Sequence, residues 1–364
     1  MSALTIGTAV EDATRPVRLD ARRFNRHTFW CGQSGSGKTY ALGVVLEQIL
    51  LHTELPMLIL DPNADFVRLR ETRAESTPEE AARLAASDIR VFRSHATEGE
   101  RVHVRYLDMS PEAKAAVLRI DPIADAEEYN VLLHLPTGDG ARAMQAEALT
   151  AALRASDDPA KRRLAYRIEN LQVLEWGLWS RGATSVTDQI DQRPRATVLD
   201  LGGFDHPSEQ KVAALGVLEH LWARREERRP ILIVIDEAHN LCSPEPQTAV
   251  ERRLTEQLVQ IAAEGRKFGL WLFLSTQRPT KIHPNVLSQC DNLGLMRVNA
   301  PRDLVELADV FGFAPEEMIR RAQSFAQGQA LFAGGFIPEP TFVQMGPRLT
   351  EESGGDVRVP LRED

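Results

Sequence analysis

Eight residues near the N-terminus leave this chain few folds to choose from: Gly32-Gln33-Ser34-Gly35-Ser36-Gly37-Lys38-Thr39. They fit the Walker A pattern GxxxxGK[ST] and lie between an apolar strand-like run, Thr28 to Cys31, and a helical pattern, Lys38 to His52. That helix carries Leu42, Val45, Leu46, Ile49 and Leu50 on one face. Glycines let the backbone bend until several N–H groups converge on a phosphate at the positive end of the following helix. Lys38 is expected to reach the β and γ phosphates, and the Thr39 hydroxyl to hold Mg²⁺. Tyr40, the next residue, completes the candidate nucleotide-contacting run.

A second signal follows far along the chain. Ile231 to Ile235 is a continuous apolar strand ending in Asp236-Glu237. A carboxylate at the C-terminal end of such a strand meets the nucleotide crevice of an open α/β sheet, where Asp236 can bind Mg²⁺. Glu237, one residue on, can polarise the attacking water. An acidic pair after a strand is otherwise an ordinary solvated turn; beside a Walker A loop the catalytic reading is preferred. The tetrapeptide Asp236-Glu237-Ala238-His239 also spells the box of DEAH helicases. Those expect a Ser-Ala-Thr element and a second lobe, whereas the next strand here ends in Ser275-Thr276-Gln277-Arg278-Pro279, so the match is taken as coincidence.

Strand-like runs at Met57 to Leu60, Thr197 to Leu201 and Leu270 to Ser275 alternate with helical patterns at Ser208 to Arg229 and Thr248 to Gly265. Such alternation predicts right-handed crossovers and a largely parallel sheet. Residues 111 to 190, rich in Ala, Leu, Arg and Glu with turn signals at Pro136 to Gly140 and Asp157-Asp158-Pro159, read as a helical insertion and a candidate second lobe. The expected division is residues 1–110 as the first part of the core, 111–190 as the insertion, 191–348 as the second part, and 349–364 as a polar tail on the surface or on a neighbour. In 364 residues the three cysteines, Cys31, Cys242 and Cys290, form no CxxC pair, which favours a reducing compartment over a zinc ribbon. No apolar run approaches the roughly 18 residues of a spanning helix and no signal peptide precedes the first strand, so a cytoplasmic protein without integral membrane association is expected. The formal charge of -9 excludes a surface that binds phosphate backbones everywhere but leaves room for a local basic channel.

The ordered set Ala263-Glu264-Gly265-Arg266-Lys267-Phe268-Gly269 and Ser275 to Pro279, with Arg26-His27, Asp61-Pro62-Asn63-Ala64-Asp65-Phe66 and Leu287-Ser288-Gln289-Cys290-Asp291-Asn292, resembles the HerA/FtsK superfamily of ring-forming DNA-pumping ATPases, HerA more closely. The likeness runs from about Gly7 to Val343, weakest across the helical insertion. It implies an α/β fold of the RecA-like (ASCE) P-loop NTPase class with a mostly parallel central sheet. It also implies a homo-hexameric ring around double-stranded DNA, with ATP and Mg²⁺ at each subunit boundary. By position, Gln277 resembles the sensor of the γ-phosphate, Arg266 an arginine finger supplied to the neighbour's site, and Arg26 a second arginine near the phosphates.

Two departures shape the expectations. HerA proteins carry an N-terminal β-barrel that helps dock the NurA nuclease, and the segment before Gly32 is too short to hold one. That points away from a NurA-like partner and toward another effector on the same face. FtsK's membrane spans and winged helix are absent from the pattern as well. The function implied is ATP-driven translocation of double-stranded DNA, with a nuclease or other effector, in DNA end processing or antiviral defence. Two rivals are a secretion or conjugation ATPase and an ATP-gated ring scaffold that activates an effector without pumping DNA. Candidate DNA loops are Thr280 to Asn285, with Lys281 and His283, and Arg193 to Arg195. Arg224, Arg225, Arg228 and Arg229 are assigned to the negative end of a helix dipole.

Overall fold

Runs of five to seven residues, mostly apolar and too short for stable helices, become the inner strands of one sheet. The computed structural model describes residues 3–95, 100–135, 146–181 and 184–353. The strands are β1 (Ala3–Ala9), β2 (Asp12–Asp20), β3 (His27–Cys31), β4 (Met57–Asp61), β5 (Ile89–Arg93), β6 (Glu100–Arg101), β7 (Ala196–Asp200), β8 (Ile231–Ile235), β9 (Leu270–Thr276), β10 (Cys290–Leu295), β11 (Gln329–Gly334) and β12 (Thr341–Met345). Their order is β2-β1-β12-β11-β10-β3-β9-β8-β4-β7-β5-β6. From β10 to β6 every pairing is parallel, and β11, β12, β1 and β2 extend the sheet antiparallel. The expected mostly parallel α/β sheet is therefore what forms.

Parallel strands need covered faces, and the side chains alternate accordingly. In β8, Ile231, Ile233 and Ile235 enter one apolar cluster while Leu232 and Val234 enter the other. Helix Lys38–His52 packs in the second cluster through Leu42, Val45, Leu46 and Ile49. Helices Glu209–Ala223 and Ala249–Glu264 cover the first, the latter started by a capping box between Thr248 and Glu251.

Among its described residues, the segment between β6 and β7 carries helices Pro111–Leu118, Ala126–Leu133, Ala146–Arg154, Pro159–Leu171 and Val186–Asp191. Its Leu164, Ile168, Val173 and Trp179 belong to the same apolar cluster as Phe29 and Leu58 of the sheet, so insertion and sheet share a core. The turn expected at Pro136 to Gly140 and residues 354–364 of the expected tail lie outside the described residues. The tail expectation needs correcting at its start, because Leu349 and Thr350 are buried at 6% and 0% exposure. The helix expected over Ser208 to Arg229 stops at Ala223. Arg224 to Arg229 offers no apolar face, and Arg228 adopts φ 49°.

His27, fully buried at the start of β3, joins three elements. Its Nδ1 accepts the Leu272 N–H of β9 at 2.9 Å, so Nε2 carries the proton and donates to the Ala262 carbonyl at 3.0 Å. Burial pushes its pKa down to about 4 from 6.5, against the opposing effect of that carbonyl. A lowered imidazole pKa means the unfolded chain binds a proton that the native state does not. The stabilisation is then complete above about pH 6.5 and is lost as pH falls toward 4. Urea unfolding from pH 7 to 4 is expected to show the wild type losing up to about 3 kcal/mol more than His27→Gln.

Candidate nucleotide site

Because β3, β9, β8 and β4 run parallel, the residues following them meet at one rim: Gly32 after β3, Gln277 after β9, Asp236 after β8, and Asp61 at the end of β4. The loop after β3 turns tightly. A Cβ on Gly32 would lie 2.8 Å from both Met296 Cβ and Ser36 Oγ, so no larger residue fits. The loop is braced from β10 onward, where Gln33 N–H donates to the Arg297 carbonyl at 2.9 Å and Asn299 N–H to Gln33 Oε1 at 2.9 Å. Arg297 Nη2 donates to the Gly35 carbonyl at 3.1 Å, and Gly328 N–H to the Ser36 carbonyl at 3.0 Å.

Lys38 is 4% exposed. Its Nζ donates to Asp236 Oδ1 at 2.8 Å and to Ser275 Oγ at 2.9 Å, and lies 3.1 Å from Glu237 Oε1. Burial opposes its charge, but the Asp236 and Glu237 carboxylates outweigh burial and raise its pKa above the ordinary lysine value. Glu237 sits at φ 45°, ψ 47°, a left-handed conformation that costs a non-glycine residue free energy and clusters at functional sites. Gln277 Nε2 donates to Glu237 Oε1 at 2.6 Å, and His239 Nδ1 lies 3.2 Å from Oε2. Burial would raise the Glu237 pKa, yet His239, Lys38 and Gln277 together lower it to about 2. The carboxylate is thus ionised and aimed.

A cavity of about 900 Å³ opens above this cluster, lined by residues including Ser34, Thr39, Tyr40, Glu237 and Gln277. Asp236 lies beneath it, and its Oδ2, like Ser36 Oγ, is buried without a hydrogen-bond partner. Carboxylate oxygens of Asp61, Asp65 and Asp236 lie within 4.8 Å of one another. Burial, with neighbouring carboxylates, raises Asp61 to about 6 and Asp65 to about 7. An unsatisfied buried carboxylate oxygen beside two acids whose ionisation is opposed by burial and by one another, next to a phosphate-type turn, fits a nucleotide with a divalent cation.

The expected residues Gly32 to Tyr40, Asp236, Glu237 and Gln277 thus converge on one site. Arg266 and Arg26 do not join them. Arg26 precedes β3, whose five residues separate it from the loop by roughly 17 Å. Arg266 lies before β9, at that same opposite rim, where both arginines flank Asp291. Of the DNA candidates, Arg195 is tied to the Leu50 and Thr53 carbonyls and to Glu54, while Lys281 and His283 follow Gln277 at the nucleotide rim.

The sequence alone does not reveal the outer wall, Gln344 to Pro347 with Glu352 and Ser353. This strap is fastened to the Walker A helix. The Glu47 carboxylate accepts the Leu349 and Thr350 N–H groups at 2.8 and 2.9 Å, and Arg348 N–H donates to the Tyr40 hydroxyl at 2.8 Å. Arg348 Nε lies 3.6 Å from Glu47, both side chains buried, in space left by the missing side chain of Gly43.

The family model for the central domain of helicase HerA matches residues 4–219. The chain belongs to the HerA central-domain family. A second model, that of the AAA ATPases, matches residues 183–297. Among curated relatives, the DNA double-strand break repair helicase HerA of Pyrococcus furiosus is 22% identical over 403 residues, covering 94% of this chain and 69% of its own. The HerA of Sulfurisphaera tokodaii is 27% identical over 183 residues, 48% of this chain and 36% of its own length. The match thus spans about a third of that relative and, at 34%, of the one from Sulfolobus acidocaldarius. Among solved structures, VirB4 of Thermoanaerobacter pseudethanolicus superposes with a TM-score of 0.62 at 14% identity, covering 94% of this chain and 96% of that one. The plasmid coupling protein TrwB in complex with ADP and Mg²⁺ gives 0.58 at 13%, covering 97% and 91%. Both likenesses place this HerA-family chain in the P-loop NTPase fold. Among the described residues no helix is long and apolar enough to cross a membrane.

Removing one partner of a buried ion pair leaves the other uncompensated. Arg348→Ala is therefore expected to lower unfolding stability by about 3 kcal/mol, measured by urea titration.

Proposed function

We propose that this HerA-family chain hydrolyses ATP at the rim around Lys38, and that hydrolysis proceeds where two copies meet in a ring that translocates double-stranded DNA. The observation that carries the reading is the polarity of the sheet. Lys38, Asp236, Glu237 and Gln277 sit at the C-terminal ends of the parallel strands, and Arg26 and Arg266 at the N-terminal ends of β3 and β9. Within one copy the strands hold these two sets apart, so Arg26 and Arg266 can reach phosphates only in the site of a neighbouring copy.

The roles proposed for these residues are consistent with their placement. Lys38, now bonded to Asp236 and Ser275, would exchange those partners for phosphate oxygens, and Thr39 and Asp236 would hold Mg²⁺. Glu237 orients the attacking water and accepts its proton on the carboxylate that Gln277 holds in place. Gln277, bonded to Glu237 and facing the cavity, relays the presence of the γ-phosphate to that carboxylate. When bound, MgATP supplies the electrophilic phosphoryl group and a metal charge that neutralises its oxygens. Arg266, with Arg26, stabilises the charge that develops in the adjoining copy's site.

The names of the relatives, repair helicases, support DNA as the polymer moved. A hexamer and a nuclease or other effector partner belong to the same proposal. Lys281 and His283, following the sensor strand, are the DNA contacts it favours.

Glu237→Gln is expected to keep ATP binding, by equilibrium titration, and to abolish turnover. Arg266→Ala is expected to bind ATP and lose about 10³-fold or more in kcat. Undiminished hydrolysis in Glu237→Gln removes the water-activating assignment. ATPase stimulation should grow with the length of linear duplex and fall steeply with salt. A response to an effector protein and none to duplex would replace the pump with a scaffold.

A further inference from the structure

We propose that Asp291 is a positioning residue that holds Arg266 and Arg26 as one preassembled pair for the neighbouring copy's nucleotide; this rests on the intersubunit reading above. Asp291 Oδ2 accepts from Arg266 Nη1, and Arg26 Nε lies 3.7 Å from the same oxygen. All three side chains stay partly open to solvent: Asp291 is 46% exposed, Arg266 33% and Arg26 40%. A guanidinium has five donors, so one bond to a carboxylate oxygen leaves the others free for phosphate.

The backbone around Asp291 is arranged to present it. Cys290 pairs with His27 and Asn292 with Thr28, which leaves Asp291 as the extra residue of a bulge in the β10–β3 ladder. Bulges re-aim side chains and recur beside active sites. Asn292, fully buried, locks that bulge. Its Nδ2 donates to the Arg23 carbonyl at 3.1 Å and to Thr28 Oγ1 at 3.2 Å, and its Oδ1 accepts the Phe336 N–H at 3.1 Å. The Arg23 contact fixes the turn that leads into Arg26.

Arg266 is anchored from two further sides. His27, next to Arg26, donates to the Ala262 carbonyl four residues before Arg266, so the two arginine-bearing segments are bolted together. On the other flank, Phe268 of the same turn meets Trp222 edge-on at 5.8 Å, and the Arg225 guanidinium covers both rings at 4.6 and 5.6 Å. With the backbone held this firmly, the remaining freedom lies in the two arginine side chains. Asp291 is the group that removes it and offsets the repulsion between them.

The test is Asp291→Asn in the assembled protein, which keeps size and removes charge, with Asp291→Glu as the conservative rescue. Expected for Asp291→Asn is a kcat lower by about 10- to 100-fold, with KM for ATP, particle size and thermal midpoint unchanged. Asp291→Glu should recover part of the rate. In an Arg266→Ala background, Asp291→Asn should cost nothing further, since the group it positions is gone. An unchanged kcat in Asp291→Asn, with Arg266→Ala inactive, overturns the positioning role and leaves the intersubunit reading standing. A raised kcat overturns it too, making Asp291 a decoy that occupies the finger. Loss of particle size or fold in both Asp291 variants makes the residue structural. Full activity in Arg266→Ala sinks the intersubunit reading itself, and this proposal with it.

Discussion

Three charged groups share one buried volume at the end of the parallel strands: the Lys38 ammonium and the carboxylates of Asp236 and Glu237, all at most 5% exposed. Each would be costly to bury alone, and their mutual attraction offsets the loss of water only because hydrogen bonds complete the geometry. Ser275 supplies one of those bonds and Gln277 another. A hydrophobic replacement would hold the sheet together as well or better, so stability does not explain the cluster. An excess of negative charge around one lysine, with an unpaired Asp236 oxygen, is instead an arrangement ready to exchange partners with anions and a cation. The left-handed backbone at Glu237 is a further local cost carried at the same place.

What surrounds the cluster serves to keep the Walker A helix fixed while its first turn does chemistry. Arg195 and Arg83 bond carbonyls at its C-terminal end, where cations are favoured. Glu47 and Arg348 pin the strap along its side. These contacts give the arginines a structural use. A planar guanidinium offers five donors in a fixed fork and a flat face that stacks on a ring, a geometry the compact ammonium of lysine does not have. Arg225 shows the same economy. It sits over Trp222 and Phe268, in a more specific arrangement than the helix-dipole role its position in the chain suggests.

The parts of the site legible in the sequence are those encoded by neighbours in the chain. A glycine-rich turn between a strand and a helix, and an acidic pair or a glutamine closing an apolar run, announce themselves because strand direction decides where each lands. The parallel order of β3, β9, β8 and β4 then assembles them without further information. The strap was not legible, since Glu47 and Leu349 are 302 positions apart and neither lies in a motif. Nor was the extent of helix Glu209–Ala223, where a run of charges continues the helical composition but has nothing apolar to bury. The helical insertion was visible as composition. That its leucines would join the sheet's own core depends on packing the pattern does not carry.

The same sheet polarity that makes the site legible also limits what one copy can do. A parallel sheet has two chemically different rims, and loops from opposite rims cannot meet without unfolding the strands between them. Here one rim gathers Lys38 and the carboxylates; the other gathers Arg26, Arg266 and Asp291. An arginine pair held by a partly exposed carboxylate, on a bulge locked by a buried asparagine, is more ordered than surface charge needs to be. In the proposed ring that order has a use, because a finger fixed before the copies meet gives up little side-chain freedom when it engages. In that proposed ring, hydrolysis would depend on how neighbouring sheets are set against one another, and contact between copies would couple one site to the next.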